Sequence, residues 1–306
     1  NECGCRIRRR RGLGAEGDCN GDIGALFWLE GWTTMTTLMP IREFRPEVAK
    51  TLLGVFFDID DTFTTHGKIG PEPFQALWSL KEAGLRTVPI TGRPAGWCDH
   101  IARMWPVDGV VGENGALYFW YDPQEEKVKR RFVDADPVRE EKRRRLRAVR
   151  EEILRAVPGA AVASDQPYRE ADLAIDYCED VEPLSQQAVQ RICDIFEKHG
   201  ATTKVSSVHV NGWFGDYNKL SMTRRLVRER WGLTLADCRE RFVFCGDSPN
   251  DEPMFEFFPY AAGVRNLLNF ADPMTHLPAY LANREGGEGF AEIVRTILSM
   301  RGLNQR

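Results

Sequence analysis

Leu52-Leu53-Gly54-Val55-Phe56-Phe57-Asp58-Ile59-Asp60-Asp61-Thr62 is the stretch that decides the fold of this 306-residue chain. An uncharged, mostly apolar run passes straight into a cluster of carboxylates. A strand with one wet face alternates apolar and polar residues, so an unbroken run implies a strand covered on both faces, as in the middle of a parallel sheet. In an open sheet of that kind ligands bind beyond the carboxyl ends of the strands, which makes the acids here candidates for chemistry.

Downstream, a helix is expected from about residue 71, with Phe74, Leu77, Trp78 and Ala83 on its buried face and Gly84 as its stop. A strand follows at 87–90. Trp97, Ile101, Met104 and Trp105 then mark a helix by their i, i+4, i+7, i+8 spacing, and 107–111 reads as a third strand. Repeated β/α units predict an α/β fold, a Rossmann-like doubly wound parallel sheet.

The rhythm changes at 116–133, where two strand-like runs flank Asp122-Pro123-Gln124-Glu125 and predict a hairpin. Asp136-Pro137 then opens a helix whose buried face is Leu146, Val149, Ile153, Leu154 and Val157. Strands at 160–163 and 172–177, a helix at 184–199 and a strand at 202–210 complete a unit of three strands and two helices. A smaller α+β domain at 134–210 is thus expected to interrupt a core made of 46–133 and 211–306. In the second part, Leu220, Leu226 and Val227 define a helix at 219–231, a strand follows at 241–245, and a last helix covers 290–298.

Residues 1–45 show no period until about Ile41 and are expected to be a disordered extension. Gly12-Leu13-Gly14-Ala15-Glu16-Gly17 has the letters of a dinucleotide fingerprint but not the strand–turn–helix setting, and Cys3, Cys5 and Cys19 lack a fourth ligand and paired spacing. Both are read as chance. Arg6 to Arg11 is read as a solvated charge run. A net charge of −4 gives no reason to expect nucleic acid or a membrane surface as partner. Eight scattered cysteines, several within apolar runs, fit a reducing, cytoplasmic setting, and no apolar run approaches the roughly 18 residues of a membrane span. A small soluble ligand is the expected partner. The oligomeric state leaves no mark in the sequence.

Three strand ends carry the informative residues: Asp58-Ile59-Asp60-Asp61-Thr62, Thr91-Gly92-Arg93-Pro94 and Gly246-Asp247-Ser248-Pro249-Asn250-Asp251, with Lys219 between the last two. In this order they resemble the four motifs of the haloacid dehalogenase superfamily, from about Val55 to Leu298. The insertion resembles the larger cap of the superfamily's IIB subclass, which includes sugar-phosphate phosphatases and phosphomannomutases. Gly112-Glu113-Asn114-Gly115 and the stretch from Asn211 to Lys219 resemble that subclass too. Asp61 departs from the glycine the family often has there.

The resemblance implies a Mg²⁺-dependent phosphatase acting on a small phosphorylated metabolite such as a sugar phosphate. Phosphoryl transfer needs an in-line nucleophile, neutralisation of the equatorial oxygens and an acid for the leaving group. Asp58 would form the aspartyl-phosphate, Asp60 would serve as acid and then base, and Thr91 and Lys219 would hold the phosphoryl group. Mg²⁺ would lie among Asp58, the Asp60 backbone carbonyl and Asp247, with Asp251 fixing a bound water or Lys219. Thr62, Gly92, Arg93, Asn114 and Asn250 are further candidates for substrate contact. In the cap, Arg169 and Asp172 are weighed as substrate contacts against a plain salt bridge. Whether water or a second hydroxyl accepts the phosphoryl group, phosphatase against phosphomutase, stays open at this level.

Overall fold

The computed structural model describes residues 38–206, 208–272 and 274–303. The arginine run, the glycine string at 12–17 and Cys3, Cys5 and Cys19 lie outside the described residues.

The apolar run works as a two-faced strand. Gly54–Phe57 sends Val55 and Phe57 into one cluster with Leu77, Leu80, Phe290 and Val294, and Phe56 into another with Leu226, Val227 and Phe258. Each of these strand side chains is fully buried, a contribution of about 1.5–3 kcal/mol apiece. Six parallel strands run in the order Met39–Pro40, Tyr280–Leu281, Ala262–Gly263, Phe242–Gly246, Gly54–Phe57 and Arg86–Pro89. Helices Pro71–Glu82 and Gly286–Met300 cover one face, and Lys219–Trp231 and Glu252–Phe257 the other. This is the expected doubly wound sheet. A single parallel bridge from Ile90 to Val111 hands it on to an antiparallel sheet of Val110–Gly112, Leu117–Asp122 and Lys127–Phe132.

The inserted unit has four strands, in the order Ala161–Val162, Asp172–Asp176, His209–Trp213 and Thr202–Val205, backed by helices Asp136–Ala156 and Gln186–Lys198. One strand had been expected over 202–210. It is instead a hairpin that turns around Ser206 and Val208 and continues to Trp213, past the expected boundary at 210. Without a glycine or proline in the turn, the sequence carries no breaker to show it.

Other expectations need correcting. Ile41 and Phe44, assigned to the extension, are buried in the core, and Phe44 packs on Tyr280 with ring centroids 4.9 Å apart. A two-residue strand and one 3₁₀ turn, Ile41–Glu43, are too short to show a period. Two helices are rotated from their expected phase. Trp78, Trp97 and Met104 are exposed, while Pro73, Ala76, Leu77 and Leu80, and Ala95, Cys98, Ile101 and Ala102, face inward. Small residues let these helices approach closely; the large aromatics lie at the rim, where Trp97 carries the Arg93 guanidinium 4.5 Å from its ring centre. Leu154 is exposed too. No helix among the described residues is long and apolar enough to cross a membrane.

Candidate active site

Pairing Gly54–Phe57 with Phe242–Gly246 in parallel brings the two acidic strand ends side by side, and Asp58 N donates to Cys245 O at 2.9 Å. Asp58, Asp247 and Asp251 each offer a carboxylate oxygen within 4.8 Å of the others, and all three are buried. Lys219 enters this group from the first turn of its helix, fixed by a capping box at Asn218 and Ser221. Its Nζ lies 3.1 Å from Asp58 Oδ2 and 2.8 Å from Asp251 Oδ1. Of the two roles open to Asp251, the structure therefore brings it to Lys219; its other oxygen accepts from Asp247 N at 3.1 Å.

Three carboxylates around one ammonium leave an excess of negative charge in a dry site. Burial pushes the Asp58 carboxyl up to about 8, with Asp251 and Asp60 adding to it and Lys219 opposing. Asp247 is raised well above the usual carboxylate range by burial and then by Asp251 and Asp58. Lys219, whose burial alone would lower it, is raised by Asp251 and Asp58. An all-oxygen donor set held in mutual repulsion fits a hard divalent cation such as Mg²⁺, which would relieve that excess.

The second strand end supplies Thr91, Gly92 and Arg93. Thr91 is buried, and its hydroxyl accepts from Arg93 N at 3.0 Å, so that amide is already engaged. The Arg93 guanidinium grips Asp60 through Nε, 3.0 Å from both oxygens, and Nη2, 2.7 Å from Oδ1. Asn114 reaches over Gly92, where a Cβ would stand 3.1 Å from its Oδ1. Thr62 turns the other way: its hydroxyl donates to Asp247 Oδ1 at 2.8 Å, and it supports that carboxylate where substrate contact had been expected.

Above these residues lies the cap, and between the two is a chamber of about 40 Å³. Asp58, Asp60, Gly92, Arg93, Asn114 and Asn250 form its core side. Arg169, Lys204, His209 and Asn211 are on its cap side. Arg169 is buried in a double salt bridge, with Asp165 at 2.8 Å and Asp172 at 3.0 Å, and its Nη1 also donates to Gly92 O at 3.0 Å. Both alternatives weighed for it meet here: it is ion-paired, and it lines the chamber.

Two residues had been given no role. Glu113, fully buried, accepts from Ala95 N in the core at 2.9 Å and from Glu170 N and Ala171 N in the cap at 2.8 and 2.6 Å. Burial and then Asp172 push its carboxyl up to about 7. It lies within a quoted motif, yet no local pattern tells that its carboxylate pins two domains. Asn266 donates to Asp61 O at 2.9 Å and to Asp247 Oδ2 at 3.2 Å, holding two strand ends together. It follows a two-residue strand, Ala262–Gly263, with no sequence signal of its own.

Residues 55–142 match the family described as haloacid dehalogenase-like hydrolase. No curated protein matches the chain in sequence. Among solved structures, a Thermoplasma acidophilum protein aligns over 83% of this chain and 99% of its own with a TM-score of 0.63 at 18% identity. The C-terminal domain of trehalose-6-phosphate phosphatase from C. albicans aligns over 88% and 99%, TM-score 0.61, at 13% identity. The sucrose-phosphatase of a Synechocystis species, solved with sucrose and phosphate, aligns over 81% and 97%, TM-score 0.55, at 17% identity. The resemblance read from the sequence is thereby supported over residues 55–142, and at these identities the structures speak for the fold.

Proposed function

We propose that this haloacid dehalogenase-like chain is a Mg²⁺-dependent phosphatase that hydrolyses a small phosphorylated metabolite, a sugar phosphate by class, through an aspartyl-phosphate on Asp58. The observation that carries this reading is the buried set of Asp58, Asp247 and Asp251 around Lys219, since so crowded a group of acids gains nothing for the fold. Trehalose-6-phosphate phosphatase and sucrose-phosphatase among the similar structures support the substrate class.

Asp58, the Asp60 backbone carbonyl and Asp247 would hold Mg²⁺, and Asp251 keeps Lys219 in place. The cation, when bound, keeps Asp58 ionised and offsets charge on the phosphoryl oxygens. An Asp58 oxygen attacks phosphorus, the bond from phosphorus to the ester oxygen breaks, and Asp60 gives that oxygen a proton. Asp60 then takes a proton from water, whose oxygen attacks the phosphorus and frees Asp58 and inorganic phosphate. Lys219 and the Thr91 hydroxyl hold the phosphoryl oxygens throughout. In the present conformation Arg93 engages both oxygens of Asp60, so the acid role requires the guanidinium to move onto the incoming phosphate.

The chamber has core residues such as Asp58 and Asp60 on one side and Arg169, Lys204, His209 and Asn211 of 134–210 on the other, an arrangement that supports a lid which parts from the core to admit substrate and limits water when it closes. The direct test is a screen of phosphorylated metabolites with Mg²⁺ and with chelator, scored for free phosphate and for isomerised sugar. Phosphate release that depends on Mg²⁺ is expected; full activity in chelator, or isomer without phosphate, would overturn the reading.

A further inference from the structure

The cap sheet has two unlike faces. Leu173, Ile175 and Val210 point into the apolar cluster shared with the cap helices, and a Cβ on Gly212 would meet Phe196 at 2.1 Å on that same side. By the two-residue alternation of a strand, Asp172, Ala174, Asp176, His209 and Asn211 belong to the opposite face. Lys204 joins them, because it is the direct cross-strand partner of Asn211. This face roofs the chamber, where Lys204, His209 and Asn211 look toward Asp58 and Asp60.

Its charges are matched with one exception. Asp172 is held by Arg169 and by Asn211 Nδ2 at 3.0 Å. Asp176 accepts from the N–H groups of Cys178, Glu179 and Asp180 at 2.8–2.9 Å. His209 Nε2 lies 2.8 Å from Glu179 Oε2. Among the described charged residues of this face, Lys204, which is exposed, alone has a side chain with neither a hydrogen bond nor an ion pair. Nothing in the fold gives that ammonium a task. The transferred phosphoryl group does not need it either, since Lys219 already stands at Asp58.

We propose that Lys204 is a specificity residue that reads a second anionic group, a carboxylate or a second phosphoryl, at the end of the substrate remote from the transferred phosphoryl. The inference rests on the reading of Asp58 as the phosphoryl acceptor, which fixes one end of the substrate on the core and leaves its other end under the cap. Lys204 is exposed at the edge of the chamber, so its ammonium stays partly solvated and discriminates a charged from a neutral tail by about three- to tenfold.

The test uses the full chain with Mg²⁺ and matched pairs that differ only in the remote group. The carboxylate arm compares 3-phosphoglycerate with glycerol 3-phosphate and 6-phosphogluconate with glucitol 6-phosphate; the phosphoryl arm compares fructose 1,6-bisphosphate with fructose 6-phosphate. The kcat/KM ratio within at least one pair is expected to favour the doubly anionic member at least about threefold. Lys204→Met should bring that ratio near one, and Lys204→Arg should restore it. A wild-type ratio near one in every pair, or a preference that survives in Lys204→Met, overturns the proposal. Calorimetric binding of the same pairs to Asp58→Asn, with and without Lys204→Met, separates the two readings. A Lys204-dependent binding preference without hydrolysis of any ester sinks the phosphatase reading alone; hydrolysis without a preference sinks this one alone.

Discussion

On the core side of the chamber one lysine answers two of three clustered, buried carboxylates, whereas on the cap side nearly every charge is answered within the cap itself. The core side is a poor solution for stability, and its groups are displaced far from their ordinary protonation. The cap side is a satisfied polar surface with one cation to spare. Frustration is thus concentrated where a cation and a phosphoryl group are expected.

The contrast is broken most directly at Asp58. Asp58→Asn keeps the shape and removes the nucleophile, so phosphate release should fall by roughly a thousandfold or more. Because burial holds the folded-state carboxyl up at about 8, the ionised group destabilises the metal-free fold progressively as pH rises from about 4 to 8. In chelator at pH 8 the variant should therefore melt no lower than wild type, and at pH 4 the two should coincide. Retained turnover, or a melting point many degrees lower at pH 8, would contradict the account of a strained nucleophile.

A middle-sized effect is expected on the cap side, where Arg169→Ala leaves Asp165 and Asp172 buried without their partner, a loss of about 3–5 kcal/mol. It also removes the link to Gly92 O. Hydrolysis of the natural metabolite should fall at least about tenfold more than that of p-nitrophenyl phosphate, which needs little from the lid. Equal losses on both esters would show that the cap supports the chemistry itself and not recognition.

The same contrast explains what the sequence could tell. The core site was legible because parallel β/α units place strand ends together by rule: Asp58, Thr91 and Asp247 follow apolar runs that announce their strands, and Lys219 opens a periodic helix. Arg93 and Asn114 were found as chamber residues, though the grip of Arg93 on Asp60 was not foreseen. Across the cap the reading weakened. The division of 202–210 into a hairpin, and so the placing of Lys204 across from Asn211, depends on a turn with no breaker residue. Glu113 and Asn266 act through contacts across the fold, and Thr62 proved to brace Asp247, none of which a local period encodes. Ile41 and Phe44 were missed because their elements are shorter than any window that detects periodicity.

The smallest effect, and the opposite pH signature, belongs to Glu152 on the outer face of the cap. Its oxygens meet Lys198 Nζ and His199 Nε2, both at 2.7 Å, so the carboxylate clasps helix Asp136–Ala156 to the end of helix Gln186–Lys198. Lys198 and then His199 pull its carboxyl down to about 2 from the ordinary 4.5. A carboxyl whose folded-state value is depressed stabilises the fold fully above its unfolded value and loses that contribution as pH falls through the window from about 4.5 to 2. Core carboxyls such as Asp58 and Glu113 shift upward and behave in the reverse sense, relieved by acid where Glu152 is weakened by it. The Glu152 clasp is solvent-exposed and salt-screened, so its effect should be slight. Glu152→Gln is expected to raise hydrogen exchange in the two cap helices at neutral pH and low salt while leaving the core amides unchanged. The difference should disappear near pH 2 and in about 1 M salt, where the Debye length is only about 3 Å. A difference that persists under both conditions would mean that Glu152 acts through packing, and that the cap's outer charges do not tune its stability as the pairing implies.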